Sequence, residues 1–267
     1  MMAPRYRQIQ RGPRQFMRLG ISIWLATVVM PNITVAASVA EQFETARHGI
    51  LHVGTYQAQP ADLNSPRPIK WLGTAFAVDQ TCTFVTAKHV LKDADRKELV
   101  VRFQLPNDLG KVRTVRTRVL SEDATRDLAF LKIDQYEGKP CVSGTLHVFP
   151  IYPGELARIA GQSVMIIGYP VIAEVDLDLP IVRTGIVASA EVEWPDGRML
   201  LLDLLGVPGF SGSPVVLIET GQVIGIVFGP GPTQRAFGFE WATPLSLSDY
   251  EKATKAPDST TEGGSPK

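Results

Sequence analysis

The chain has 267 residues, 45% of them apolar and 20% charged, enough material for a sizeable core in one large domain or two small ones. Lys and Arg number 27, as do Asp and Glu, so the formal net charge is zero, and nothing in that balance points to nucleic acid or an anionic membrane as a bulk partner. Twenty Pro and 23 Gly, spread between short apolar runs, suit an all-β chain with many turns.

At the N-terminus, Arg5, Arg7, Arg11, Arg14 and Arg18 precede the apolar run Leu19 to Met30, and small residues follow at Val35-Ala36-Ala37-Ser38-Val39-Ala40. This order predicts a secretory signal peptide over residues 1–40, cleaved after Ala37 or Ala40. The run falls short of the ~20 residues that a spanning helix needs, with an uncleaved anchor as the alternative. The mature protein is expected to be periplasmic or secreted, with no membrane contact beyond this segment. An oxidising compartment would permit a disulfide between Cys82 and Cys141, and two buried free thiols are equally compatible with the sequence. Neither cysteine has a nearby Cys or His, so no zinc site is expected.

Next come a short helix at Glu41 to His48, a first strand at Gly49 to Tyr56, and a polar loop from Gln57 to Pro68. Strands are expected at Gly73–Val78, Thr83–Ala87, Glu98–Phe103, Val112–Leu120 and Leu128–Ile133, with a hairpin turn at Asn107-Asp108-Leu109-Gly110. The stretch Gln135 to Pro153 is poor in pattern and marks a boundary between two halves. Further strands are expected at Ser163–Ile167, Ile181–Glu193, Leu200–Leu204, Pro214–Ile218, Gln222–Phe228 and Ala236–Ala242. Short strands without amphipathic helical stretches predict an all-β fold of two antiparallel β-barrels, at about 49–134 and 154–246, within a domain over 41–255. Residues 256–267 carry no apolar content and read as a disordered tail.

Three segments carry chemistry: Thr86-Ala87-Lys88-His89-Val90, Arg126-Asp127-Leu128-Ala129 and Gly209-Phe210-Ser211-Gly212-Ser213-Pro214. A serine hydroxyl is a poor nucleophile unless a base takes its proton. His89 can be that base, and Asp127 can orient the ring and stabilise the imidazolium. His89 and Asp127 fall in the first half and Ser211 in the second, which places the site in the cleft between the barrels.

These segments, with Gly73-Thr74-Ala75-Phe76, Ile166-Ile167-Gly168-Tyr169-Pro170, Thr184-Gly185-Ile186-Val187 and Val223-Ile224-Gly225-Ile226, resemble those of trypsin/chymotrypsin-like serine peptidases. The nearest style is the bacterial Deg-like (high-temperature-requirement) branch, and the likeness runs from about Gly49 to Ser246. The resemblance implies the double β-barrel, protein or peptide substrates and catalysis without a cofactor or metal. It assigns His89 as general base, Asp127 as orienting carboxylate, Ser211 as nucleophile, and the backbone N–H groups of Gly209 and Ser211 as the oxyanion hole. No further module that binds peptides is read after the peptidase region, and oligomeric state has no signal in the sequence.

Four positions depart from the family pattern. Phe210 stands where Asp or Asn is usual, Ser213 replaces a glycine, Lys88 precedes the histidine in place of a small residue, and Phe228 falls where a hydroxyl often supports the aspartate. Phe210 and Lys88 raise an alternative: a catalytically weak or inactive pseudoprotease acting as a binding module. Leu205, Val227, Phe228 and Gly229 are expected to wall the primary substrate pocket, with Leu205 at its base. With no carboxylate in those segments, small or apolar side chains are expected there in preference to Lys or Arg. Asp176 and Asp178 read as a solvated hairpin tip rather than half a calcium loop. Trp194, Phe237, Phe239 and Trp241 read as barrel core, and His48, His52 and His147 as structural.

Overall fold

The computed structural model describes residues 38–59, 65–105, 111–136, 138–140, 146–171, 178–195, 197–229 and 238–255. The chain divides into two compact units, Met1–Val35 and Ala36–Lys267, and the first lies wholly outside the described residues. So do the tail over 256–267, the turn at Asn107–Gly110, Cys141, Asp176 and Phe237.

The first helix, α1 (Val39–Ala46), begins where the small residues of the leader end. Ser38 caps it: its hydroxyl accepts from the Glu41 N–H while the Glu41 carboxylate accepts from the Ser38 N–H, a reciprocal capping box. A 3₁₀ turn then leads into β1 (Ile50–Tyr56). Six more strands complete the first sheet: β2 (Ile69–Ala77), β3 (Thr83–Thr86), β4 (Leu99–Gln104), β5 (Val112–Arg116), β6 (Arg118–Glu122) and β7 (Ala129–Lys132). Their order is β5-β4-β1-β2-β3-β7-β6, antiparallel throughout.

This sheet curls into a half-barrel without a backbone ladder between its edge strands. Its edges, β5 and β6, are consecutive pieces of the run Val112–Leu120 that reads as one strand in the sequence. The break falls at Thr117, whose N–H donates to the Leu99 carbonyl at 3.0 Å and whose hydroxyl donates to the Lys132 carbonyl at 2.9 Å. One residue thus reaches both neighbours of the edge pair, and the curled sheet is joined through the chain itself.

A two-residue hairpin, β8 (Gln135–Tyr136) and β9 (Lys139–Pro140), precedes the second half. There β10 (Ser163–Gly168), β11 (Ile181–Trp194), β12 (Gly197–Asp203), β13 (Pro214–Leu217), β14 (Val223–Val227) and β15 (Phe239–Pro244) close fully, in the order β10-β11-β12-β15-β14-β13. The fold is therefore the all-β arrangement of two antiparallel halves that the strand pattern predicted.

Two apolar clusters underlie it. One, including Ile166, Leu202, Phe210, Val215 and Ile224, fills the closed barrel. The other joins Phe76, Phe84, Leu99 and Leu131 of the first sheet to Met165, Ile167, Tyr169, Val216 and Ile226 of the second half, so it crosses the seam. The sequence did not predict the C-terminal helix α2 (Leu247–Lys255), whose buried residues are only Asp249 and Ala253. A helix that lacks an apolar stripe gives no periodic signal.

Candidate active site

His89 sits in a 3₁₀ turn (Lys88–Leu91) at the end of β3, and Asp127 lies in the bend just before β7. The Asp127 carboxylate receives two hydrogen bonds from one residue: His89 N–H to Oδ1 at 2.7 Å, and His89 Nδ1 to Oδ2 at 2.6 Å. The ring bond places the proton on Nδ1 and leaves Nε2 as an acceptor. Asp127 is 12% exposed and His89 40%, so the carboxylate is sheltered while the ring stays open to solvent. The Phe228 ring meets the imidazole edge-on at 5.7 Å, where the sequence comparison expected a hydroxyl.

The nucleophile loop is held one peptide at a time. Val207-Pro208-Gly209-Phe210 forms a tight turn in which the Phe210 N–H donates to the Val207 carbonyl at 3.2 Å. Gly209 has φ +94°, and a side chain there would run into the Tyr169 carbonyl, so only glycine fits. The Pro208 carbonyl accepts from the Val171 N–H at 2.7 Å, and the Phe210 carbonyl from the Ser213 N–H at 2.8 Å. In a trans peptide the N–H opposes the carbonyl. Both pinned carbonyls therefore turn the next N–H, of Gly209 and of Ser211, the other way. Among the described residues, neither of these two N–H groups donates to any acceptor. They alternate with the satisfied N–H groups of Phe210 and Gly212.

Ser211 itself is half-buried, and its carbonyl accepts from the Thr74 N–H of β2 at 2.9 Å. Such proximity requires Gly73, because a Cβ there would lie 2.8 Å from the Ser211 carbonyl oxygen. A Cβ placed on Gly229 would lie 3.5 Å from the Ser211 hydroxyl, which sets Gly229 beside Ser211 and Phe228 beside His89. Ser213, two residues further on, is fully buried.

The departures from the family pattern have local explanations. Phe210 is fully buried in the apolar cluster of the closed barrel, so packing replaces the usual polar contact. Lys88 points away from the cleft, its ammonium donating to the Asp123 carbonyl at 2.7 Å. Beside it, Arg126 bridges two carboxylates, with Nη2 at 2.6 Å from both Asp123 Oδ2 and Asp249 Oδ1 of α2. Burial works against the charged form of both acids. Hydrogen bonds from Arg126, joined by Thr125 at Asp123 and by Ser246 at Asp249, outweigh it and hold both carboxyls below their ordinary range.

The expected pocket is placed unevenly. Val227 is buried in the barrel, Phe228 and Gly229 line the edge next to His89 and Ser211, and Leu205 is 46% exposed. Sequence reasoning missed Glu240. It is fully buried in β15, accepts from the Trp241 N–H at 3.3 Å, and packs its carboxylate on Gly206, next to Leu205. No carboxylate stands at Leu205 itself, but β15 brings one against Gly206, the residue that follows it. Of the aromatic residues expected in the barrel core, Trp241 is buried, while Trp194 is half-buried, lies 5.0 Å from Trp241 and 6.5 Å from Phe228, and extends the ring contacts toward His89.

His52 is buried between Trp71 at 4.2 Å and Tyr169 at 4.5 Å, a structural stack. Cys82 is buried and disulfide-bonded, while Cys141 lies outside the described residues. Among the described residues no cluster of His, Cys, Asp and Glu could hold a metal ion, and no helix is long and apolar enough to cross a membrane.

Residues 73–226 match the family model described as a trypsin-like peptidase domain. Among solved structures, the serine endoprotease from Yersinia pestis is 26% identical with a TM-score of 0.58, over 82% of this chain and 67% of its own. The HtrA-type protease AlgW, solved with a tripeptide, shares the fold with a TM-score of 0.59 at 21% identity, over 82% of this chain and 64% of its own. A search of curated proteins finds no match. The family match spans more than half of the sequence and contains His89, Asp127 and Ser211, so the chain belongs to the trypsin-like peptidase family and is a serine endopeptidase by class.

Proposed function

We propose that the protein is an exported endopeptidase working through an acyl-enzyme on Ser211. The Ser211 hydroxyl attacks the scissile carbonyl carbon as its proton passes to His89 Nε2, and Asp127 stabilises the imidazolium. The resulting oxyanion accepts from the Gly209 and Ser211 N–H groups. His89 then returns the proton to the leaving amine as the C–N bond breaks, and water activated by the same ring releases the acid. The observation that carries this reading is the double hydrogen bond from His89 to Asp127, at 2.7 and 2.6 Å, which presents Nε2 as a base.

The test is labelling with a fluorophosphonate probe. Wild type should form an adduct on Ser211, Ser211→Ala and His89→Ala should not, and Ser213→Ala should label as wild type does. Folded wild type that takes no label would overturn the reading and leave the pseudoprotease.

Export rests on the basic and apolar leader, and processing is assigned after Ala37. That cut keeps Ser38 and its capping box with Glu41, whereas a cut after Ala40 would remove the cap of α1. N-terminal sequencing of the exported protein should read Ser38 first, and a start at Glu41 would refute the assignment.

A further inference from the structure

Thr74 is fully buried, and every polar group it carries is engaged. Its N–H donates to the Ser211 carbonyl at 2.9 Å. Its carbonyl accepts from the Thr86 hydroxyl at 2.7 Å, on the strand that leads to His89. Its own hydroxyl donates to the Gly209 carbonyl at 2.9 Å and accepts from the Tyr169 N–H at 3.0 Å. One residue therefore ties the strand that leads to His89 (through its backbone carbonyl) to the Ser211 loop and the end of β10 (through its hydroxyl), without touching any reacting atom.

The hydroxyl bonds matter most because of the peptide they restrain. The Gly209–Phe210 peptide has its carbonyl on Thr74 and its N–H on Val207, so it cannot rotate without breaking both. That peptide is the hinge between the two N–H groups assigned to the oxyanion. We infer that the Thr74 hydroxyl is a positioning residue for transition-state stabilisation, holding the Gly209 and Ser211 amides in their shared orientation. The inference rests on the proposed acyl-enzyme mechanism.

Without the hydroxyl, the Gly209 carbonyl and the Tyr169 N–H lose a partner in a site closed to water, and such groups re-pair by moving. The Gly209–Phe210 peptide is the mobile party, since Tyr169 is packed against His52 and lies in the shared core. Rotation there would change the angle between the flanking Pro208–Gly209 and Phe210–Ser211 peptides and so misalign the Gly209 and Ser211 N–H groups with each other. One such donor is worth ~10²–10³ in kcat in acyl transfer. Substrate binding along the cleft would be little affected, because the interaction develops in the transition state.

The experiment compares wild type with Thr74→Val, which keeps the shape, Thr74→Ser, which keeps the hydroxyl, and Thr74→Cys, a weaker donor. Steady-state hydrolysis of a peptide substrate and inhibition by a peptide boronic acid are measured on each, with circular dichroism to establish folding. Thr74→Val should lose about 10- to 100-fold in kcat with KM within about threefold, and lose boronate affinity in parallel. Thr74→Ser should restore kcat to within about threefold, and Thr74→Cys should fall between the two. If Thr74→Val does not fold, the Ser-against-Cys comparison decides, and equal kcat in those two overturns the inference. A folded Thr74→Val with wild-type kcat, or one that loses KM alone, also overturns it. Wild type that takes no fluorophosphonate on Ser211 would instead mark failure of the catalytic reading.

Discussion

The two sides of the site are held by opposite kinds of force. The His89–Asp127 side is fastened by charge: Lys88 reaches the Asp123 carbonyl, and Arg126 spans Asp123 and Asp249 next to the orienting carboxylate. The Ser211 side is fastened by neutral groups, with Phe210 sunk in an apolar cluster and Thr74 hydrogen-bonded through every polar atom. Water and salt reach the first set and not the second. The comparison teaches that the His89 and Ser211 sides answer to different conditions: acid and ionic strength act on one, and packing defects act on the other.

The largest expected effect tests the packed side. Phe210→Ala should cost about 3–5 kcal/mol in urea unfolding, the usual loss for truncating a buried phenylalanine. Phe210→Asp, which restores the residue type common in the family, should do worse by placing a carboxylate among Ile166, Leu202 and Val215. A Phe210→Asp variant as stable as wild type would show that the loop is not anchored by packing.

Breaking the charged side comes next. Asp249→Ala removes a carboxylate only 5% exposed and should cost about 2–3 kcal/mol, less than a fully buried pair because Arg126 is itself 28% exposed. Its pH dependence has a defined sign. Asp123 and Asp249 titrate lower folded than their ordinary 3.8, so their contribution is complete above that value and is lost as pH falls below it. Unfolding free energies across that window should fall more steeply for wild type than for Asp249→Asn. Equal slopes would sink the charge account of this side.

Two smaller changes sharpen the contrast. Lys88→Met should cost no more than about 1 kcal/mol and should soften the response of activity to added salt. Ser213→Ala should be neutral or stabilising by about 1 kcal/mol, because the buried Ser213 hydroxyl finds no hydrogen-bond partner among the described residues. A clear loss of stability in Ser213→Ala would mean that the hydroxyl is satisfied.

The local parts of this molecule were legible before the fold was. His89, Asp127 and Ser211 each stand in a segment whose neighbours announce a strand end or a tight turn; α1 is expected from Glu41, and its cap at Ser38 goes unread. What could not be read is what joins distant segments. Thr74 meets Gly209 across 135 positions and Arg126 meets Asp249 across 123, and no periodicity or spacing encodes such pairs. Glu240 escaped notice for the same reason, since its place against Gly206 depends on β12 and β15 lying side by side. The helix α2 left one usable trace: Ser246 followed by Asp249, whose carboxylate accepts from both the Ser246 N–H and its hydroxyl. The kink at Thr117 left none.

The apolar cluster that crosses the seam has a consequence for how such a molecule survives itself. A peptidase whose halves came apart separately would expose loops of one copy to the cleft of another. Here Met165, Ile167, Tyr169, Val216 and Ile226 belong to the same packed body as Phe76, Phe84 and Leu99, so neither half can loosen without breaking packing that both share. Melting should therefore be a single cooperative event seen alike by calorimetry and by fluorescence, and self-digestion should wait on that event.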